Sequence, residues 1–377
     1  MHFSLDEYQD RLARVRESMA ERDIDLLLLF GQEAIDWVSG FYTPAHFAYA
    51  CFGVPLEGEP FLIVRYLEEK AVHANSWVQN YQIYWDHEDY IEKTRDMVCK
   101  AGFGKARIGL EKHSWFLTAD RCDRLRDALP DATFVSDDRL VDRLRFIKSA
   151  AELDYLRQAA KIVGAGMRGA VNATKVGATE REIAAEMAYE RLRAGSDLPV
   201  DGVLTTGERI LEGHGPWTDR VLREGDGLHY EFHGIKANYW ARLERSGVLG
   251  EPTQRQRFVA DTVLFAQNQG LAKMKAGVHC SVIDQACREP MLEAGLKVKE
   301  TYTNRMGYGI GLNMRPSPGE FLCEFTPTAD FVLAPGMVFH MVMAAEGLGY
   351  SDTVVVTDDG IEYLTDYPRE MLIVPVR

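Results

Sequence analysis

The first part of the chain alternates between helical and extended patterns of apolar residues. Apolar side chains recur at spacings of three and four over residues 5–22, which predicts an amphipathic helix buried through Tyr8, Leu12, Val15 and Met19. Short aliphatic runs follow in IDLLLLFG, PFLIVR (60–65) and ARIGLE (106–111). Such runs predict buried strands, and strands that alternate with helices predict an α/β domain. We place this domain at residues 1–147.

The pattern changes near residue 148, where two long helices are predicted. Ser149 and Glu152 form a capping box before one amphipathic stretch, and Thr179 and Glu182 form the same box before the next. From about residue 200 the pattern predicts strands and turns, interrupted by helices at 254–275 and 282–295. We therefore predict an α+β lobe with a largely antiparallel sheet over residues 148–377. Simple self-similarity gives no internal repeat.

Composition and charge narrow the functional classes. The formal net charge of −14 argues against a nucleic-acid partner, because phosphate binding requires a basic surface. The six cysteines form no CxxC pair, so we expect reduced thiols and neither a thiolate zinc site nor a disulfide scaffold. The longest aliphatic run, LLLLF, is too short to span a bilayer, and the polar N-terminus does not resemble a signal peptide. We expect a cytoplasmic protein that does not bind membranes.

Two predicted strands carry polar residues that are candidates for a site. In LHYEFHG, Glu231 alternates with His229 and His233, so the three side chains share one face of the strand. This face is either the wall of a site or an exposed surface. Arg242 and Glu244, two residues apart on the next strand, also share a face. Together they would either grip a zwitterion or form an internal salt bridge.

Further candidates lie in loops and near glycines. His214, between two glycines in GHGPW, is a candidate proton carrier because histidine titrates near neutral pH. Tyr308 lies among glycines in RMGYGIGL, where its hydroxyl would orient a substrate or, in a packed aromatic, merely find a partner. His340 is expected at the floor of the pocket or as a core histidine. Arg315 and Glu320 are expected at its mouth.

Five segments in order resemble the creatinase/prolidase/methionine aminopeptidase superfamily. They are RFIKSAAELDYLRQAAKI, LREGDGLHYEFHGIKANYWARLERS, RMGYGIGL, VLAPGMVFHM and YSDTVVVTDDGIEYLT. The resemblance implies an α+β pita-bread catalytic domain preceded by a smaller, creatinase-like α/β N-terminal domain. The metallopeptidases of this superfamily bind two metal ions through five side chains, whose positions here hold Glu231, Arg242, Tyr308, Val342 and Ser351. Because one carboxylate and a guanidinium make a poor ligand set, we expect no metal and no cofactor.

Two metal-free branches of the superfamily are similar to this sequence. Creatinase has its catalytic histidine at the position of His214 and a substrate-binding glutamate at that of Glu244. Ectoine hydrolase is similar around Glu231, Tyr308 and His340. The resemblance implies a metal-independent hydrolase of a non-peptide C–N bond in a small zwitterionic compound. The implied residues are Glu231, His214 and Tyr308 for catalysis, and Arg242, Glu244, His340, Glu320 and Arg315 for substrate binding.

Several points stay open in this interpretation. Glu231 would act either as a nucleophile or as a general base. The alternatives are an Xaa-Pro metallopeptidase, which would need bound metal, and a catalytically silent relative that binds a ligand or partner. The resemblance also implies a homodimer in which the N-terminal domain of one subunit covers the site of the other. The aromatic segment 40–53 and Arg65 are candidates for that cover.

Overall fold

The computed structural model describes every residue except Val200, Asp201, Glu300, Pro316, Pro318 and Arg377. The chain divides into two compact units. The first contains Met1–Arg145 and Met314–Pro318, and the second contains Phe146–Asn313 and Gly319–Arg377. Within the described residues, none of the helices is both long enough and apolar enough to traverse a bilayer.

The first unit is built around a mixed six-stranded sheet in the order β4-β3-β2-β1-β5-β6. Its strands are β1 (Leu26–Leu29), β2 (Cys51–Pro55), β3 (Phe61–Arg65), β4 (Tyr81–Tyr84), β5 (Arg107–Leu110) and β6 (Thr133–Ser136). Its helices are α1 (Leu5–Ala20), α2 (Gln32–Ser39), α3 (Glu69–Asn75), α4 (Tyr90–Lys100), α5 (Ala119–Ala128) and α6 (Leu140–Arg145). The apolar stripe predicted for the first helix is buried, and the three aliphatic runs are the strands β1, β3 and β5. These elements confirm the predicted α/β pattern.

A buried carboxylate closes the turn between β1 and α2 in this unit. Glu111 lies just after β5, and its Oε2 accepts hydrogen bonds from the backbone N–H of Phe30 at 2.7 Å and of Gly31 at 2.6 Å. His113 lies 3.9 Å from the same carboxylate and 3.0 Å from Asp142. Burial raises the pKa of Glu111 to about 7. This carboxyl therefore titrates close to neutral pH.

The second unit contains a nine-stranded sheet with the central order β11-β10-β12-β13-β9-β8-β7. Its strands are β7 (Val203–Thr206), β8 (Gly227–Lys236), β9 (Tyr239–Leu249), β10 (Gly307–Gly309), β11 (Glu320–Glu324), β12 (Val338–Ala345), β13 (Leu348–Val356), β14 (Ile361–Tyr363) and β15 (Leu372–Val374). Its helices are α7 (Ala150–Ala173), α8 (Glu180–Arg193), α9 (Gln254–Leu271) and α10 (Cys280–Glu293). Every pairing along the central order is antiparallel, so the predicted α+β class is confirmed.

Two helix pairs cover one face of this sheet. Helix α7 packs on β8 and β9, so closely that a Cβ on Gly234 would lie 2.0 Å from the carbonyl oxygen of Ala159. Helices α9 and α10 contribute to an apolar cluster with Phe339, Met341 and Tyr350 of β12 and β13. Because side chains alternate along a strand, the residues between these apolar positions point to the opposite face, where the polar candidates lie.

The two helix pairs repeat one construction that simple self-similarity of the sequence does not reveal. Both capping boxes predicted in the first pair are present, at Ser149 and at Thr179. In each pair a glycine with positive φ precedes the second helix, Gly177 at 84° and Gly277 at 79°. A second such glycine follows that helix, Gly195 at 96° and Gly295 at 68°. The two helix pairs of the second unit are therefore built alike.

Candidate functional site

One row of side chains crosses the centre of the second unit's sheet. Across the paired strands β7, β8, β9, β13 and β12, directly opposite residues are Val203, Glu231, Glu244, Ser351 and Val342. Residues directly opposite each other on neighbouring strands project from the same face. The row therefore brings the two glutamates side by side on the face away from the helices, with a serine and a valine beyond them.

Arg242 lies at the centre of this face and binds two of the predicted residues. Its Nη2 lies 2.6 Å from Oε1 of Glu231, and its Nη1 donates a hydrogen bond to the hydroxyl of Tyr308. The backbone N–H of Arg242 donates to Oγ1 of Thr353 at 2.9 Å, which joins β9 to β13 beside the row. Arg242, Glu231 and Tyr308 are all buried. The alternative of a solvent-exposed strand face is therefore excluded for Glu231.

Glu244 occupies a different environment from Glu231. It is almost fully buried, and burial, with a further contribution from the charge of Glu231, raises the pKa of Glu244 well above its usual range. Nδ1 of His229 lies 3.4 Å from Oε1 of Glu244 and 3.3 Å from Oγ of Ser246. A Cβ on Gly349 would lie 1.8 Å from Oε1 of Glu244, so an alanine there would displace this carboxyl group. The internal salt bridge predicted between Arg242 and Glu244 is not the pairing observed. Arg242 pairs with Glu231 across the strands, and Glu244 contacts His229.

Two further histidines line the buried polar face. His233 lies directly opposite Arg242, with its ring centroid 5.2 Å from that of Trp240. His340 lies opposite Tyr308, with their ring centroids 5.1 Å apart at an angle of 77°. Burial, with a contribution from the charge of Arg242, lowers the pKa of both histidines well below the usual range. Both imidazoles are therefore neutral near pH 7, and neither ring nitrogen of His340 has a hydrogen-bond partner in the described part of the chain.

Three predicted residues lie outside this buried cluster. His214 is exposed on a turn between β7 and β8, and its charge makes a small contribution beside burial to lowering the pKa of His229. Glu320, the first residue of β11, is bound by the Nζ of Lys148 in a buried ion pair. Arg315 is exposed and belongs to the segment that groups with the first unit. A contribution of Arg315 to substrate binding stays a prediction.

The side chains of this face form a poor ligand set for a divalent cation. The carboxylate of Glu231 is already bound by the guanidinium of Arg242, so it is not free to bind a cation. The other nearby carboxyl, Glu244, resists ionisation, and Val342 has no donor atom. Among the described residues, no group of three or more His, Cys, Asp or Glu side chains is arranged to hold a metal ion. The residues present therefore do not fit a dinuclear metal centre.

The contacts that complete the site join residues far apart in sequence. The partners of Glu320 and Glu244, respectively Lys148 and His229, were not assigned these roles from the sequence. The sequence does indicate that His229 belongs to the site, because it alternates with Glu231 on β8. It does not indicate the contact of Lys148 with Glu320, since 172 positions separate the two residues.

Comparisons with known proteins agree with the two-unit architecture. Residues 154–358 match metallopeptidase family M24, and residues 11–147 match the creatinase/prolidase N-terminal domain. The chain is 28% identical to the ectoine hydrolase of Halomonas elongata over 98% of each protein. It is 27% identical to the Xaa-Pro dipeptidase of Pyrococcus furiosus over 63% of this chain and 68% of that protein.

Solved structures show the same fold. The dipeptidase PepE from Mycobacterium ulcerans superposes with a TM-score of 0.85 at 22% identity, covering 99% of this chain and 100% of that one. The X-Pro aminopeptidase from Thermotoga maritima gives a TM-score of 0.83 at 24% identity, covering 96% and 99%. The architecture is therefore the pita-bread fold with a creatinase-type N-terminal domain. The family match covers more than half of the sequence, and the chain belongs to metallopeptidase family M24.

Proposed function

We propose that this protein is a metal-independent hydrolase of a non-peptide C–N bond in a small zwitterionic compound. The observation that carries the proposal is the position of Arg242. Its guanidinium binds both Glu231 and Tyr308 at the centre of the polar face. A fixed positive charge there repels a divalent cation and replaces one of its functions, which is to hold charged groups in place.

The charges of the site favour a substrate with no net charge. Glu231 and Arg242 form an ion pair at 2.6 Å, while burial disfavours the charged forms of Glu244, His233 and His340. A ligand with an uncompensated charge would pay the full desolvation penalty in such a site, whereas a zwitterion presents both signs. The Nε of Arg242 and both nitrogens of His340 are buried without a hydrogen-bond partner among the described residues. They are available to the polar groups of a ligand.

The residues of the site suggest a division of roles. Glu231 would attack the carbon of the scissile bond or remove a proton from the attacking water. Arg242 and Tyr308 would hold Glu231 and the charge that develops on the substrate, because both present donors in a dry environment. His214, exposed on its turn, would exchange protons with solvent. The similarity to ectoine hydrolase makes ring opening of a cyclic amidine the first reaction to test.

An Xaa-Pro peptidase is the second candidate, supported by the relatives with that activity. The chain matches an Xaa-Pro dipeptidase at 27% identity, and its fold is that of an X-Pro aminopeptidase. This candidate needs bound metal, and the ligand set around Arg242 argues against it. A catalytically silent protein that binds a ligand is the third possibility for the same site.

The deciding experiment is proton NMR of the purified protein with ectoine, creatine and an Xaa-Pro dipeptide, in excess EDTA and then with added Mn²⁺. Hydrolysis of ectoine or creatine in EDTA, abolished by Glu231→Gln, would support the proposal and identify the substrate. Hydrolysis of the dipeptide only after Mn²⁺ is added would establish the peptidase. Saturable binding of ectoine without turnover, retained in Glu231→Gln, would indicate the silent binder. Glu362→Gln, which removes another arginine-paired carboxylate on β14, is the matched control.

A further inference from the structure

The connection between β7 and β8 carries His214 and is fixed by an unusual buried carboxylate. The loop spans residues 207–226 and begins with a 3₁₀ turn, Gly207–Leu211. His214 lies on an exposed turn near its middle. Glu180, the first residue of α8, is fully buried beneath the loop. A loop of this length has many conformations, so an internal anchor determines which one its residues adopt.

The carboxylate of Glu180 binds both ends of the segment around His214. Its Oε1 accepts hydrogen bonds from the backbone N–H and the hydroxyl of Thr206, both at 2.9 Å. Its Oε2 accepts from the backbone N–H of Thr218 at 2.8 Å and from its hydroxyl at 2.7 Å. Thr206 ends β7 and Thr218 lies four residues after His214, so one side chain ties the two ends of the segment together.

Arg209 extends this anchor into the turn itself. Its Nη1 donates to Oε2 of Glu180, and its Nη2 donates to the carbonyl oxygen of Pro216 at 2.9 Å and to Glu212 at 2.8 Å. Glu212 and Pro216 flank His214 by two residues on either side. Arg209 therefore links Glu180 to the residues on both sides of His214.

The carboxylate of Glu180 accepts more hydrogen bonds than its position at the start of α8 would need. A carboxylate in the first turn already has a favourable interaction with the helix dipole. A fully buried one is stable only when its lone pairs are satisfied. The donors here are Thr206 at the end of β7 and Arg209 and Thr218 of the loop. Arg220 extends the same network to the end of the loop, because it donates to the hydroxyl of Thr206 at 3.1 Å and binds Asp226 at 2.6 Å. The loop that carries His214 is therefore held in one shape.

We propose that Glu180 is a positioning residue that sets where His214 presents its imidazole to the substrate. This inference rests on the proposed function, because it requires that His214 takes part in the reaction. Burial lowers the pKa of His229, with a smaller contribution from His214, and His229 contacts Glu244 in the buried cluster. A displacement of about 1 Å by a residue outside the chemistry can lower the rate by about 10²-fold.

The test is a double-mutant cycle with Glu180→Gln and His214→Ala, measured on the substrate that the wild-type protein hydrolyses in EDTA. We expect each single variant to lower kcat by about 10²-fold with KM within about threefold. We expect the double variant to be no slower than His214→Ala alone, because Glu180 acts through that histidine. The kcat–pH profile of the double variant should match that of His214→Ala.

Two further variants keep the outcome interpretable. Thr218→Val removes the hydroxyl that donates to Glu180 and accepts from Arg209 and from the backbone N–H of Arg220. It keeps the backbone hydrogen bond of residue 218 to Glu180 and should give a smaller decrease in kcat than Glu180→Gln. Glu362→Gln should leave kcat unchanged. Multiplicative effects of the two main substitutions, or a His214→Ala protein with wild-type kcat and pH profile, would overturn the inference. Either result would leave the proposed function intact, whereas loss of EDTA-resistant turnover in the wild type would refute that function first.

Discussion

The pairing of Arg242 with Glu231 permits a sharp test of the electrostatic interpretation. Arg242→Met removes the guanidinium and leaves Glu231 buried beside a neutral side chain. The two groups are 9% and 10% exposed and lie 2.6 Å apart. Breaking one partner of a buried pair lowers the free energy of unfolding by roughly 3–5 kcal/mol, because the remaining charge loses its compensation. The midpoint of thermal unfolding would then fall by roughly 6–20 °C for a unit of this size.

An exposed ion pair of the same geometry provides the control. Arg181 and Asp219 also lie 2.6 Å apart, but they are 58% and 79% exposed. Arg181→Met should change the free energy of unfolding by less than about 1 kcal/mol, since solvent screens this pair. Glu231→Gln combined with Arg242→Met should recover most of the loss, because no uncompensated charge remains.

The measurement is urea denaturation followed by circular dichroism at constant pH and ionic strength, with slopes compared between variants. A loss below about 1 kcal/mol for Arg242→Met, equal to that of Arg181→Met, would refute the reasoning. It would mean that Glu231 does not depend on the guanidinium for its stability in the buried face, and the argument against a cation at this position would lose its main support.

Three further predictions concern single side chains. Tyr308→Phe removes the hydroxyl that accepts a hydrogen bond from Arg242. It should lower kcat by roughly 10²-fold with little change in ligand affinity. A change in kcat of less than about twofold in steady-state kinetics would contradict this. Gly349→Ala places a Cβ 1.8 Å from Oε1 of Glu244 and should lower the free energy of unfolding in urea by roughly 1–3 kcal/mol. Glu111, whose pKa burial raises from 4.5 to about 7, contributes stability below pH 4.5 that is lost as pH rises through 7. Glu111→Gln should therefore flatten the decline in unfolding temperature over that interval, and an unchanged slope would contradict the assignment.

The spacing of apolar residues predicted most of the secondary structure, because apolar side chains recur where a helix or strand is buried. The stripe of Tyr8, Leu12, Val15 and Met19 is buried on α1, and both capping boxes formed where their residue types predicted them. The helix predicted at 254–275 ends at Leu271, and that at 282–295 begins at Cys280. Such shifts are expected, since the last turn of a helix is fixed by caps and tertiary contacts and less by periodicity.

The arrangement of the site depends on the register of paired strands, which the pattern within a single strand does not reveal. Arg242 and Glu244 share a face, but residues two apart along a strand are roughly 6.6 Å apart. Directly opposite and diagonal residues on neighbouring strands come within reach of long side chains, so Arg242 binds Glu231 across the sheet. That register follows from the tight turn between β8 and β9, where Ala237 and Asn238 have φ of 49° and 63°. The repeated helix pairs were also missed, because their similarity lies in backbone conformation and glycine placement.

The row across β7, β8, β9, β13 and β12 has a consequence for how such proteins diversify. Each of its positions lies on a different strand, and the strand backbones are held by their neighbours and by the helices on the other face. One substitution can therefore change the chemistry of the face without shifting its geometry. A positive charge between a carboxylate and a tyrosine can be supplied by a guanidinium as well as by an ion taken from solution. On such a sheet, a single substitution can replace a carboxylate by a guanidinium or an apolar side chain while the spacing of the other positions is kept.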